Sequence, residues 1–335
     1  MSWRRTNVAL FAALALAFAT GAGAVATGTA RGRWIVVAHG VAAVAVVLLI
    51  PWKTRIIRYG LRRVRPTRWL SLLLAALAVT ALLFGFGYAT GLVRSVGGLP
   101  GMWLHVAAAL ALVPLLVWHV VARRARPRRG DLSRRTVLRL GGLAAAAGAL
   151  YAAADGTVRL AGLPGARRRF TGSYEAGSFQ PDAMPTTIWL DDPVPAVDPD
   201  RWRLSIVDGA GRYELTLAQL STSGATLPAT LDCTSGWYAH QDWTGVPVAT
   251  LLRDLGGARS LFVHSVTGYG IRFPVEEVGG LFLATGAGGA PLSAGHGYPL
   301  RLVAPDRRGF WWVKWVDRIE LQPVPPWWQP PFPVT

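Results

Sequence analysis

The stretch Leu231-Asp232-Cys233-Thr234-Ser235-Gly236-Trp237, continued by Trp243-Thr244-Gly245-Val246 and Leu251-Leu252, decides how this chain reads. It holds the only cysteine among 335 residues, which excludes an internal disulfide. A free cysteine is most often a small buried hydrophobe. Here a strand-like run through Ala229 and Leu231 delivers the thiol to a turn of Thr, Ser and Gly, where backbone amides are free. A thiolate in such a turn suits a soft, high-valent metal better than a core.

Outward from that stretch, charge divides the chain. Residues 1–169 hold 24 Arg and Lys against 2 acids, and residues 170–335 hold 11 against 16. The formal charge of +17 therefore sits in the front half, between long apolar runs, and the half with the cysteine is acidic. A nucleic-acid partner is not indicated, because no basic aromatic face accompanies that charge. No cysteine pair and no GxxxxGK motif is present, which removes the zinc and P-loop readings.

Five apolar runs, about Val8–Ala26, Trp34–Trp52, Trp69–Thr90, Met102–Ala122 and Val137–Ala154, approach the ~20 residues that span a bilayer. Seven basic residues lie from Lys53 to Arg68 and eight from Arg123 to Arg139, whereas the alternate loops carry Arg31 and Arg33, then Arg94. Positive loops stay in the cytoplasm, so the expectation is a multi-pass protein of the cytoplasmic membrane. Its N-terminus is inside, and everything beyond about Asp155 is outside.

Three of the six histidines, His39, His105 and His119, fall in these runs, where ionisable side chains are costly and default to functional candidates. His39 and His105 enter their helices at similar depth, roughly 6–8 Å below the outer surface. Two histidines at one depth can hold a haem iron from both faces, and Gly40 beside His39 offers room for a flat ring. His119 lies roughly 21 Å deeper and finds no partner at that depth in the first three runs. Hydrogen bonding between helices is the alternative for all three.

The cysteine stretch resembles the molybdopterin-binding domain of the sulfite oxidase family, including its bacterial methionine-sulfoxide-reductase branch, over about Phe170 to Leu321. Three further motifs follow in the family's order: Val263-His264-Ser265-Val266-Thr267-Gly268-Tyr269, His296-Gly297-Tyr298-Pro299-Leu300-Arg301, and Arg307-Arg308-Gly309-Phe310-Trp311-Trp312-Val313-Lys314. Near the start of the domain stands Phe170-Thr171-Gly172-Ser173-Tyr174-Glu175. The resemblance implies that Cys233 ligates molybdenum. It implies that Tyr174, Glu175, Ser265, His296, Arg301 and Lys314 contact the pterin or its phosphate, and that Tyr269 and His240 act in the pocket. The histidine pattern likewise resembles membrane b-type cytochromes that serve such domains. Two departures stand out: Gly172 where several relatives have Asn, and Trp312 where relatives often have Gly.

Ser133-Arg134-Arg135-Thr136-Val137-Leu138 looks like a twin-arginine export motif, although internal; an ordinary basic flank is the alternative. A domain that takes up its molybdopterin in the cytoplasm must cross already folded, which favours the twin-arginine translocase. The expected fold is an all-α bundle of five transmembrane helices followed by an α+β, mostly β, sulfite-oxidase-like domain. The expected boundaries are 1–125 for a four-helix bundle with haem b, 126–169 for the twin-arginine-like segment, fifth helix and linker, 170–323 for the molybdopterin domain, and 324–335 for a Pro/Trp-rich tail. The expected function is two-electron oxygen-atom transfer on a small oxo or sulfur substrate, with electrons exchanged with quinones or another redox partner. The alternative is a non-catalytic, membrane-tethered binding module on a degenerate scaffold.

Overall fold

The computed structural model describes residues 3–61, 66–122, 133–188 and 193–329. The basic-loop residues 62–65 and 123–132 and the tail from Pro330 onward lie outside the described residues. The chain divides into two units, Met1–Ala24 with Arg31–Gly172, and Val25–Ala30 with Ser173–Thr335.

The first unit is built from α1 (Trp3–Ala26), α2 (Arg33–Leu61), α3 (Arg68–Thr90), α4 (Gly101–Ala122) and α5 (Arg134–Leu160). Each covers one expected apolar run and extends it. α2 continues through Pro51 past Trp52, and α5 starts at Arg134 rather than Val137. All five are long and apolar enough to cross a membrane. Leu72, Leu83, Leu110, Val117 and Leu138 stand exposed on them, which suits lipid better than water. A hairpin of β1 (Ser95–Val96) and β2 (Leu99–Pro100) joins α3 to α4. It turns at Gly97-Gly98, whose φ angles of 57° and 82° only glycine adopts freely. In the linker, Arg168 donates to the Ala89 carbonyl and pairs with Asp155 at 3.2 Å, so its charge is engaged within this unit.

The second unit is two sheets over one core. The first sheet contains β3 (Tyr174–Glu175), β6 (Ala225–Asp232), β7 (Trp237–Pro247), β10 (Phe282–Ala287), β11 (Ala290–Pro291) and β12 (Arg301–Val303). The second runs in the order β5 (Gly211–Thr216), β4 (Arg203–Asp208), β13 (Val316–Gln322), β8 (Ser260–Ser265) and β9 (Gly270–Pro274). Strand alternation sends Leu204 and Ile206, Leu261 and Val263, Ile271 and Phe273 inward, all at most 1% exposed. On β13, Val316 and Ile319 both point inward although three residues apart, because a bulge between Val316 and Arg318 shifts the register. From the first sheet Trp243, Leu283, Leu300 and Leu302 meet them.

Helix is scarcer in this unit than the sequence suggests. α6 (Leu217–Ser221) is a single turn started by a capping box between Thr216 and Gln219. The segments Val248–Leu255 and Val275–Leu283, whose apolar spacing suits short helices, hold only 3-10 turns over Val248–Leu251 and Val275–Gly280. Pro247 and Pro274 stand at their N-caps and leave too few residues before the next extended segment for a regular helix. Phe282 and Leu283 open β10 in the middle of the first sheet.

Candidate active site

β6 and β7 form a hairpin in register from Ala225↔Gly245 to Asp232↔Tyr238, and Cys233 opens its turn. The turn closes through Cys233 N–H to the Trp237 carbonyl at 2.8 Å and Gly236 N–H to the Cys233 carbonyl at 3.1 Å. Gly236, with φ 100°, supplies the left-handed residue that this turn requires. The thiol is buried, and its sulfur lies 3.1 Å from the Ser235 hydroxyl.

The turn is braced from behind by charges that the sequence reading overlooked. Asp232, 2% exposed, receives the Ser173 hydroxyl at 2.7 Å and pairs with Arg308 Nη1 at 3.2 Å. Arg308 Nη2 also donates to the Cys233 carbonyl at 3.0 Å. Gly309 packs so close that a Cβ there would stand 3.0 Å from Cys233 Cα. The sequence did carry a signal. An aspartate ending an apolar strand beside a cysteine needs a cation, and Arg307-Arg308 before a glycine is a natural source.

Arg301 and Lys314 lie near enough to interact electrostatically with the Cys233 sulfur, and His296 interacts with both cations. Arg301 opens β12 and is 1% exposed. Its guanidinium lies between two indoles, 5.1 Å from the Trp243 ring centre and 5.7 Å from that of Trp312. Trp312, one of the two departures from the family pattern, is 2% exposed and serves as one wall of this slot. The Arg301 Nε and Nη1 atoms are buried without a hydrogen-bond partner, as is His296 Nε2. Burial lowers the Arg301 pKa to about 10, with the Cys233 sulfur pulling the other way. Burial, then Arg301, lowers Lys314 to about 7, again against Cys233. The Lys314 ammonium donates to the carbonyls of Gly295 and Thr187 at 2.6 and 2.8 Å. Burial, then Arg301 and Lys314, lowers His296 to about 4, so the imidazole is neutral; its Nδ1 meets the Ser293 hydroxyl at 2.7 Å. Gly297, with φ 104°, seats these groups together, since a Cβ there would press on both Arg301 and Lys314 at 3.1 Å.

Other expected site residues stand elsewhere. Tyr174 is buried and pairs with Trp237 through β3, next to the turn. Glu175 is exposed and accepts the Ser178 amide at 2.8 Å, a bond that lowers its pKa. Ser265, 1% exposed, is tied to Thr267 at 3.1 Å in the β8–β9 turn. Tyr269 donates its hydroxyl proton to the Phe310 carbonyl at 2.6 Å, and burial raises its pKa above the ordinary value. That makes it a strut for the 307–314 segment. His240 is displaced from the expected role: alternation turns Ala239, Gln241 and Trp243 inward and His240 outward, where it is exposed, bonded to Thr230 at 2.7 Å and stacked near Phe179. Three further arginines that could hold an oxyanion are engaged with other side chains. Arg272 bonds Gln322, Arg253 lies over Tyr213, and Arg259 lies over Trp327.

In the helical unit, His39 and His105 face each other with ring centres 5.8 Å apart at 80°. His39 Nδ1 meets the Ala17 carbonyl at 2.8 Å, and His105 Nδ1 meets the Ala81 carbonyl at 2.7 Å. A carbonyl only accepts, so both protons sit on Nδ1 and both Nε2 atoms carry lone pairs. Gly21 and Gly85, each four residues after the accepting alanine, lie against the two rings. Helix pairs α1–α2 and α3–α4 thus present one histidine each by the same device. Gly40, expected to leave room for a flat ring, instead receives the Tyr151 ring.

Comparison with known proteins agrees with the second unit. The family described as oxidoreductase molybdopterin binding domain matches residues 191–327. Mitochondrial sulfite oxidase of Macaca fascicularis is 27% identical over 39% of this chain and 31% of its own length. The Homo sapiens enzyme is 26% identical with the same coverage. The chain thus spans about a third of these relatives, at 31% of their length. Among solved structures, the sulfane dehydrogenase SoxCD from Paracoccus pantotrophus is 26% identical, covering 39% of this chain and 40% of that one, with a TM-score of 0.36. The hairpin thiol, the buried cations beside it and the matching family model lead to one assignment: residues 191–327 are a sulfite-oxidase-like molybdopterin-binding oxidoreductase domain.

Proposed function

We propose that this protein is a membrane-anchored molybdenum-cofactor oxidoreductase that works outside the cytoplasmic membrane and exchanges electrons with quinones through haem b in its helical bundle. The observation that carries the reading is the buried Arg301 guanidinium, with two nitrogens unpartnered beside the only cysteine. A buried, unpaired cation is costly, and an anionic group removes that cost. The pterin phosphate fits it, with Lys314 and His296 as neighbouring donors. Among the described residues no three His, Cys, Asp or Glu side chains converge on a metal site. A metal at Cys233 therefore draws most of its ligands from a cofactor. This makes the non-catalytic alternative the weaker reading, because a degenerate scaffold has no reason to keep Arg301 in its slot.

When bound, the molybdenum–pterin group supplies two-electron oxygen-atom transfer. The chain's own residues hold and shield it. Cys233 offers the thiolate, Arg301 and Lys314 bind the anion, and Gly297 and Gly309 permit the close approach of their segments. Trp243 and Trp312 exclude water from the slot, and Tyr174 backs the turn. Arg253, Arg259 and Arg272 are each engaged with other side chains, and Arg308 is held by Asp232 and the Cys233 carbonyl, so none of these arginines is free to cradle an oxyanion at the thiol. This favours a neutral oxo compound, a sulfoxide or N-oxide, over sulfite.

In the bundle, the facing rings of His39 and His105, each bonded through Nδ1, leave Nε2 as the nitrogen for haem iron. Basic loops support the inside position of the N-terminus, and Arg134-Arg135 supports export through the twin-arginine translocase. The test is spectroscopic. Full-length protein in detergent, reduced with dithionite, shows a b-type Soret band that returns to the oxidised form when a sulfoxide or N-oxide is added, and Cys233→Ala shows the band without the response. Absence of a Soret band contradicts the haem. A reduced band that no oxo substrate reoxidises contradicts the reductase direction.

A further inference from the structure

Beyond the thiol and the cations stands a chain of three polar side chains that ends on the Cys233 sulfur. Trp237 Nε1 donates to Thr187 Oγ1 at 3.0 Å, Thr187 Oγ1 lies 3.1 Å from Ser235 Oγ, and Ser235 Oγ lies 3.1 Å from Cys233 Sγ. Ser235 and Cys233 are each 8% exposed, so water competes little for the bond to sulfur, and the two outer bonds are part-buried. Proton inventory fixes the direction. A metal-bound thiolate has no proton, so Ser235 is the donor in the bond to sulfur. Ser235 has one proton, so Thr187 must donate to Ser235. Thr187 has then used its own proton and can only accept, and its other partner, the Trp237 indole, is a group that can only donate. Each link is satisfied in one sense only, and successive bonds polarise one another toward the sulfur.

We infer that Ser235, Thr187 and Trp237 are positioning residues that drive a directed hydrogen bond onto the Cys233 thiolate and thereby set the redox potential of the metal it holds. This rests on the molybdenum reading above. A hydrogen bond to a ligating sulfur withdraws charge from it and favours the more reduced metal. Removing it makes the metal harder to reduce. Trp237 is committed to this chain rather than to a substrate, since its one polar atom is spent on Thr187.

The test is a redox titration of the paramagnetic molybdenum signal in full-length protein, wild type against Ser235→Ala, Thr187→Val and Trp237→Phe, with molybdenum content measured in each. The expected result is a lowered potential in all three with molybdenum retained, largest for Ser235→Ala and smallest for Trp237→Phe, and restored by Ser235→Thr. A tenfold shift in the reduced-to-oxidised ratio, about 59 mV for one electron, is the expected order for Ser235→Ala. An unmoved potential in Ser235→Ala at full molybdenum content overturns the inference. Wild type without molybdenum instead overturns the reading beneath it. In that case the S–H Raman band of the cofactor-free protein, which only Cys233 can produce, decides the hydrogen bond: it shifts in Ser235→Ala if the bond exists, and an unshifted band overturns the inference.

Discussion

At the scale of single residues, the site is dominated by the energetics of buried cations. Arg301 holds its charge between two indoles with Nε and Nη1 unpartnered, an arrangement that destabilises the cofactor-free protein. Arg301→Met should therefore raise the thermal stability of cofactor-free protein, by about 1 kcal/mol or more, while lowering molybdenum retention. Calorimetry alongside metal analysis checks both signs, and a variant that loses stability contradicts this account of Arg301. Lys314 makes a related prediction in pH. Its folded pKa, about 7, lies below the unfolded value of 10.5. Between those values the unfolded chain binds the extra proton, so stability rises with pH. The burial penalty is fully present below about pH 7 and is relieved as pH climbs toward 10.5. Cofactor-free protein should melt higher at pH 9 than at pH 7, and Lys314→Met should flatten that rise.

Element geometry explains which side chains were legible from sequence. Cys233, His296, Arg301 and Lys314 could be singled out from sequence because turns and strand ends carry them and their motifs are local. His240 and Glu175 were misplaced because a strand sends neighbours to opposite faces, and only the register of β6 on β7 says which face is inside. Trp243 meets Arg301 and Trp312 from 58 and 69 positions away, and Asp232 meets Arg308 from 76, beyond the reach of any local pattern. The short 3-10 turns failed for a different reason: Val248–Leu251 and Val275–Gly280 have helix-like apolar spacing but are hemmed in by proline and strands. In the bundle the apolar runs were readable, but the glycines beside the histidines were not, since they come from partner helices. Gly21→Val and Gly85→Val would each push on a histidine ring that is already 3.0 Å from the position of a Cβ. Each should abolish most of the b-type absorption of the purified protein without preventing membrane insertion. Retention of a wild-type Soret band in both variants contradicts the assigned haem site.

For the whole molecule, the expected plan of five apolar helices followed by a mostly sheet domain holds. In the proposed function, order of assembly and flow of electrons join the two halves. Arg134 and Arg135 open α5, the last helix before the molybdopterin domain. If the domain crosses the membrane folded, Arg134→Lys with Arg135→Lys should leave it inside the cell, protected from external protease, while the first four helices insert. Cleavage of that variant from outside contradicts twin-arginine export. The central claim, however, is that Cys233 ligates molybdenum in a pterin cofactor held by Arg301. It is tested most directly by the molybdenum content of purified full-length protein, wild type against Cys233→Ala. The account predicts close to one molybdenum per wild-type chain and a large loss in the variant, and equal molybdenum in both would contradict it.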